Sequence, residues 1–180
     1  LVTRYQKEWD KINNEYLEVL SERFETDYPT SRKTITAYVS IVPIFPRFLD
    51  EWSFNVSSKN PNFMIPIAMH EILHFLYFKK WMEVFPKTKR KELDNPHLVW
   101  RLSEILAPII LNHNKDIQKI LKYKHMHYSE FQKIKIGRKT MIKYFEDLYK
   151  KHLKSNQSFE DFLKISWTET KKHKKTIENI

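Results

Sequence analysis

The chain has 180 residues, 41% of them hydrophobic and 14% aromatic, with one glycine, no cysteine and a formal net charge of +10. That is apolar material for one folded domain with a substantial core, and the lack of cysteine excludes a disulfide framework, a thiolate metal site and a cysteine nucleophile. A lone glycine argues against phosphate-cradling loops and closed all-β folds, and the positive charge is lysine spread among acidic residues with no recognised nucleic-acid motif beside it.

Tyr5, Trp9, Ile12, Tyr16, Val19, Leu20 and Phe24 recur at spacings of three and four, which predicts one amphipathic helix over 2–25. The segment 27–32, with Pro29, reads as a turn. Ile35, Ala37, Val39 and Ile41 alternate with polar or half-polar neighbours and predict a strand, after which Pro43 and Pro46 stop regular pairing. Trp52, Phe54 and Val56 alternate likewise and predict a second short strand over 52–57. From Phe63 to Trp81 nearly every side chain is apolar, so the pattern predicts a helix buried in the middle of the domain. Lys79 and Lys80 fall in its expected last turn, where they suit the helix dipole.

Pro96 is placed to begin the next helix, 97–111, with Pro108 expected to kink or end it. Helical spacing resumes over 117–121. The stretch 122–129, rich in His and Tyr, carries no clear periodicity. Helices follow over 140–153 and from a Ser158 cap through Trp167 toward Lys171–Lys175. The sum is a single α+β, mostly helical domain over 1–180. The longest apolar runs, such as Ile105 to Leu111, are too short to span a bilayer, no signal peptide is legible, and a cytoplasmic location is the expectation.

The segment His70-Glu71-Ile72-Leu73-His74 carries the chemistry. On a helix, residues four apart share a face, so His70 and His74 can point at one ion while Glu71 lies beside it. Two neutral nitrogen ligands, an open coordination position and an adjacent carboxylate are what zinc-assisted hydrolysis needs. Burial strengthens the reading, because three titratable groups on a core helix are costly without a partner. A third ligand is required. Glu104, flanked by apolar residues on the next helix, is the first choice, with a salt bridge to Arg101 or a lysine as its competing role. His97 is the second choice, seven residues earlier on the same face, and Asp94 the third.

These residues resemble the gluzincin branch of the zincin metallopeptidases over roughly residues 34–112. The resemblance implies a small sheet ahead of the active-site helix, with the 52–57 strand as the edge that binds substrate backbone. It also implies Zn2+ held by His70, His74 and Glu104 with one water, and Glu71 as general base. A downstream Tyr or His would face the oxyanion. Tyr123, His125, His127 and Tyr128 are the candidates, Tyr128 and His127 the preferred two. The pattern departs from many gluzincins at Pro108, where an Asp usually supports a metal histidine, so Asn112 or His113 must take that part or it goes unfilled. Lys80 stands where metzincins need a third His, which excludes that branch.

The expected partner is a peptide or protein substrate, with neither membrane nor nucleic acid. The competing readings are a non-catalytic basic helical module, for which nucleic acid is the natural ligand, and a zinc-binding pseudoenzyme.

Overall fold

The computed structural model describes residues 1–28, 34–42 and 44–179. Two helices lead. Helix α1 (Val2–Asp10) and helix α2 (Asn13–Phe24) replace the single helix expected over 2–25. The break falls at Ile12, whose backbone leaves the helical region (φ −123°, ψ −12°) and whose N–H reaches back to the Trp9 carbonyl. The Ile-Asn-Asn sequence there is weak in helix propensity, and the bend lets Trp9 Nε1 donate to Asn13 Oδ1 at 2.8 Å. Most of the turn expected over 27–32 lies outside the described residues, as does Pro43.

Strand β1 (Thr36–Ser40) pairs in parallel with β3 (Ser53–Ser57), and β2 (Arg47–Phe48) pairs antiparallel with β3. The order β1-β3-β2 corrects the expectation that the 52–57 strand is an edge: β3 is central, and the edges are β1 and β2. Pro46 does not stop the pairing, because a proline carbonyl still accepts, and it takes the Asn55 N–H at 3.1 Å. Ser53, Phe54, Val56 and Ser57 are buried, as a central strand requires.

A short 3-10 turn (Pro61–Phe63) feeds helix α3 (Met64–Val84), the longest element. Pro66 is tolerated because first-turn N–H groups have no intrahelical acceptor. The helix outruns its expected end at Trp81. Lys79 and Lys80 therefore sit before the last turn, and Lys80 donates instead to the Glu25 carbonyl that closes α2. Helix α4 (Leu98–His113) starts after Pro96, with His97 as its N-cap, and continues past Pro108 rather than ending there. Helices α3 and α4 pack on one another, with α2, α8 (Phe159–Lys172) and β3 around α3, and α7 (Met141–His152), α8 and α9 (Lys174–Glu178) around α4. Trp81, Tyr16, Tyr77, Phe24 and Leu102 are fully sealed in this core. Tyr16 donates its hydroxyl to the Met69 carbonyl and so pins α2 to the turn of α3 that carries His70. The basic C-terminus finishes the core: Ile177 is buried and its carbonyl accepts from Arg101.

Between α4 and α7 lie α5 (Lys115–Ile120), α6 (Ser129–Lys133) and a hairpin, β4 (Lys135–Ile136) and β5 (Lys139–Thr140). The sequence pattern did not announce the hairpin. Gly137 supplies its turn at φ +61°, a conformation other residues rarely adopt. No helix of the described residues is long and apolar enough to cross a membrane.

Candidate metal centre

Helix spacing does what the motif required. His70 and His74 stand one turn apart on α3, and Glu104 reaches them from α4. The two imidazole Nε2 atoms are 3.1 Å apart. Glu104 Oε2 lies 3.3 Å from His70 Nε2, and its Oε1 lies 3.4 Å from His74 Nε2. Three donors on a tetrahedral ion with bonds of about 2.0–2.1 Å would be separated by about 3.3 Å. The two imidazole nitrogens and the two Glu104 oxygens, one facing each ring, are spaced close to that separation, and this buried group can hold a metal ion. His74 is sealed and Glu104 nearly so, while the His70 side chain is 20% exposed and marks the open side.

Neither rival joins them. His97 turns its Nδ1 to the Asp94 carbonyl at 3.1 Å, and Asp94 pairs with Arg90 at 2.6 Å. Arg101 is no partner for Glu104 either, since it donates to the carbonyls of Pro96 and Ile177.

The counter-charge comes from a residue that the sequence reading passed over. Arg47, on β2, donates through one terminal nitrogen to Glu71 Oε2 at 2.6 Å and through the other to Glu104 Oε1 at 3.1 Å. Its side chain is itself buried, and its guanidinium lies over the Phe78 ring, 5.7 Å from the centroid. One signal was there to be read: Arg47 is a single charge inside the apolar run from Ile44 to Leu49.

Burial drives the His74 imidazole down to about 3, helped by Arg47 and opposed by Glu104, so it is neutral as a metal ligand must be. For His70 burial also pulls down, but the hydrogen bond and charge of Glu104 and the charge of Glu71 outweigh it and hold the group above its ordinary value. Glu104 is well below the usual carboxylate range, the adjoining imidazoles prevailing over its burial. Glu71 is raised, burial prevailing over Arg47.

The downstream candidates lie on the 122–128 segment between α5 and α6. Burial and the charge of His70 push His125 to about 3 and His127 to about 4. Tyr128 is lifted to about 12 by burial and then by the charges of Glu104 and Glu71. All three are thus within electrostatic reach of the centre. The His127 Nδ1 atom is buried with no partner among the described residues, and Tyr128 is half exposed, packed on Trp100 and Phe131.

The support expected from Asn112 or His113 goes elsewhere. Asn112 grips the backbone of His125, accepting its N–H at 2.8 Å and donating to its carbonyl at 2.9 Å, and His113 pairs with Glu146 at 2.7 Å. The His74 Nδ1 atom has no hydrogen-bond partner among the described residues.

Comparison of the chain with protein-family models, curated proteins and solved structures returned no match.

Proposed function

We propose that this chain is a zinc-dependent hydrolase of peptide bonds. The observation that carries the reading is the convergence of His70, His74 and Glu104, whose imidazole nitrogens lie 3.1 Å apart and 3.3–3.4 Å from one or other Glu104 oxygen, with Glu71 beside them. Two imidazoles and a carboxylate are a donor set that zinc accepts in hydrolytic sites. Zn2+ bound there supplies Lewis-acid polarisation of a carbonyl and makes water acidic enough to attack near neutral pH. Glu71 accepts the proton of the attacking water and passes it to the leaving amine. Arg47 bonds only its Oε2, which leaves Oε1 to take that proton. Tyr128 and His127 are the side chains proposed to face the developing oxyanion.

One observation favours a second reading. Arg47 bridges Glu71 and Glu104 with its one positive charge, so the same residues can stand as a buried polar cluster in a non-catalytic basic module.

Elemental analysis of the purified chain, followed by digestion of a mixed peptide library, separates the two. The hydrolase reading expects one zinc per chain and cleavage. Glu71→Gln should keep the metal and lose about a hundredfold or more of turnover. Near-normal turnover in that variant sinks the general-base role. A metal-free chain that binds unrelated nucleic acid in a salt-sensitive way supports the basic module.

A further inference from the structure

The 122–128 segment belongs to no sheet, yet it is built like a strand. Burial alternates along it: Tyr123, His125 and His127 are turned inward, whereas Lys122, Lys124, Met126 and Tyr128 are exposed. That period of two marks an extended chain. Four of its inward backbone groups are met by side-chain amides, and the Tyr123 N–H by the Leu121 carbonyl at 2.9 Å, instead of by a neighbouring strand. Gln118 donates to the Tyr123 carbonyl at 3.0 Å, Asn112 takes both backbone groups of His125, and Gln132 donates to the His127 carbonyl at 3.0 Å. In an extended chain the intervening residues point their N–H and C=O groups the other way. Those of Lys124 and Met126 make no hydrogen bond with any described residue.

The segment is also anchored beside both helices of the centre. Tyr123 rests on Phe63, just ahead of α3, with ring centroids 6.4 Å apart, and Tyr128 rests on Trp100 in the first turn of α4 at 6.2 Å. Between these anchors His125 and His127 turn inward, and His70 is the most exposed of the three donors.

We propose that the outer edge of Lys124–Met126 is the strand with which an extended, acidic segment of an unfolded polypeptide pairs, laying its backbone past His70. This rests on the peptide-hydrolase reading and names the substrate class for it. Unpaired main-chain groups supply affinity for any extended backbone. The exposed Lys122 and Lys124, in a chain of net charge +10, select an acidic one.

The probe is a capped, fluorescent synthetic peptide alternating Glu and Val, added to the full chain in the presence of Zn2+. Residue-resolved hydrogen exchange should slow at the Lys124 and Met126 amides by about fivefold or more. The His125 amide, already bound by Asn112, should change little. Met126→Pro removes one N–H of the edge at an exposed position and should weaken peptide binding about tenfold, while Met126→Ala should leave it within about twofold.

Unslowed exchange at Lys124 and Met126 in the peptide-bound wild-type chain overturns the proposal whether or not the proline variant folds. So does slowing that rises with protein concentration without peptide, which assigns the edge to a second copy of the chain. Binding with the expected signature but no cleavage leaves the pairing edge intact and sinks the hydrolase reading. Cleavage of the probe by Met126→Pro with unchanged KM does the reverse.

Discussion

His70, His74 and Glu104 project from two long helices packed through the middle of the core, whereas Arg47 and the 122–128 segment reach the same place from chain with little regular structure. The helical half is held by its own backbone hydrogen bonds and by burial on nearly every side. The other half depends on single polar contacts: two ion pairs for Arg47, and three amide side chains for the segment. The comparison teaches where rigidity and adaptability are placed. Donor atoms that must keep a separation of about 3.3 Å to hold an ion come from helices, and the groups proposed to meet a substrate come from a segment outside regular structure.

The largest effect should come from cutting the helical half. His74→Ala or Glu104→Ala leaves two donors and should weaken zinc binding on the order of a thousandfold by calorimetric titration. If either variant binds as tightly as the parent chain, the three donors do not act together.

Next is the bridge between the halves. Arg47→Leu leaves two carboxylates buried without their cation, which should cost the metal-free chain about 3–5 kcal/mol in urea unfolding. Zinc should restore much of this, since it supplies positive charge to the same carboxylates. Stability unchanged without metal would show that the bridge is weaker than its burial suggests.

Acid should act on the loop half as well as on His74, which burial holds at about 3 in the helical half of the metal-free chain. His125 and His127 are held at about 3 and about 4, chiefly by burial, against about 6.5 in an unfolded chain. The unfolded state binds the protons first, so this contribution is whole above pH 6.5 and is lost as the pH falls toward 4. The urea midpoint of the metal-free chain should drop between pH 7 and pH 5, and less so in the His125→Phe variant.

The smallest effect should follow Asn112→Ala. Losing its two bonds to His125 should cost about 1–2 kcal/mol and speed exchange at the His125 amide. Zinc affinity should stay within about twofold, because the donors stand on other supports. A larger loss would mean that the two halves are not separable.

The same division decided what could be read from the sequence. The donors on α3 were legible because helical periodicity is local, and a fixed interval of four places two side chains on one face. Glu104 was found from its apolar neighbours, a signal that also lives within one helix. Arg47 was not, because its role depends on β2 pairing with β3 and on both carboxylates lying across from that edge. No interval along the chain encodes this. The error over β3 has the same origin: alternation marks a strand but not which strands flank it. The split at Ile12 and the hairpin around Gly137 were missed because a one-residue bend and strands of two residues fall below the length at which a period can be counted.

The Nδ1 of His74, without a partner among the described residues, has a consequence of its own. In most metal sites the far nitrogen of an imidazole is steered by a carboxylate or carbonyl, and removing such a partner typically costs ten- to a hundredfold in affinity. Here the ring is oriented by packing, stacked on Phe78 with centroids 5.9 Å apart. If zinc is held here as proposed, a ring steered by packing alone would lower its affinity by about that factor, so the ion should leave faster than from a site with a hydrogen-bonded imidazole.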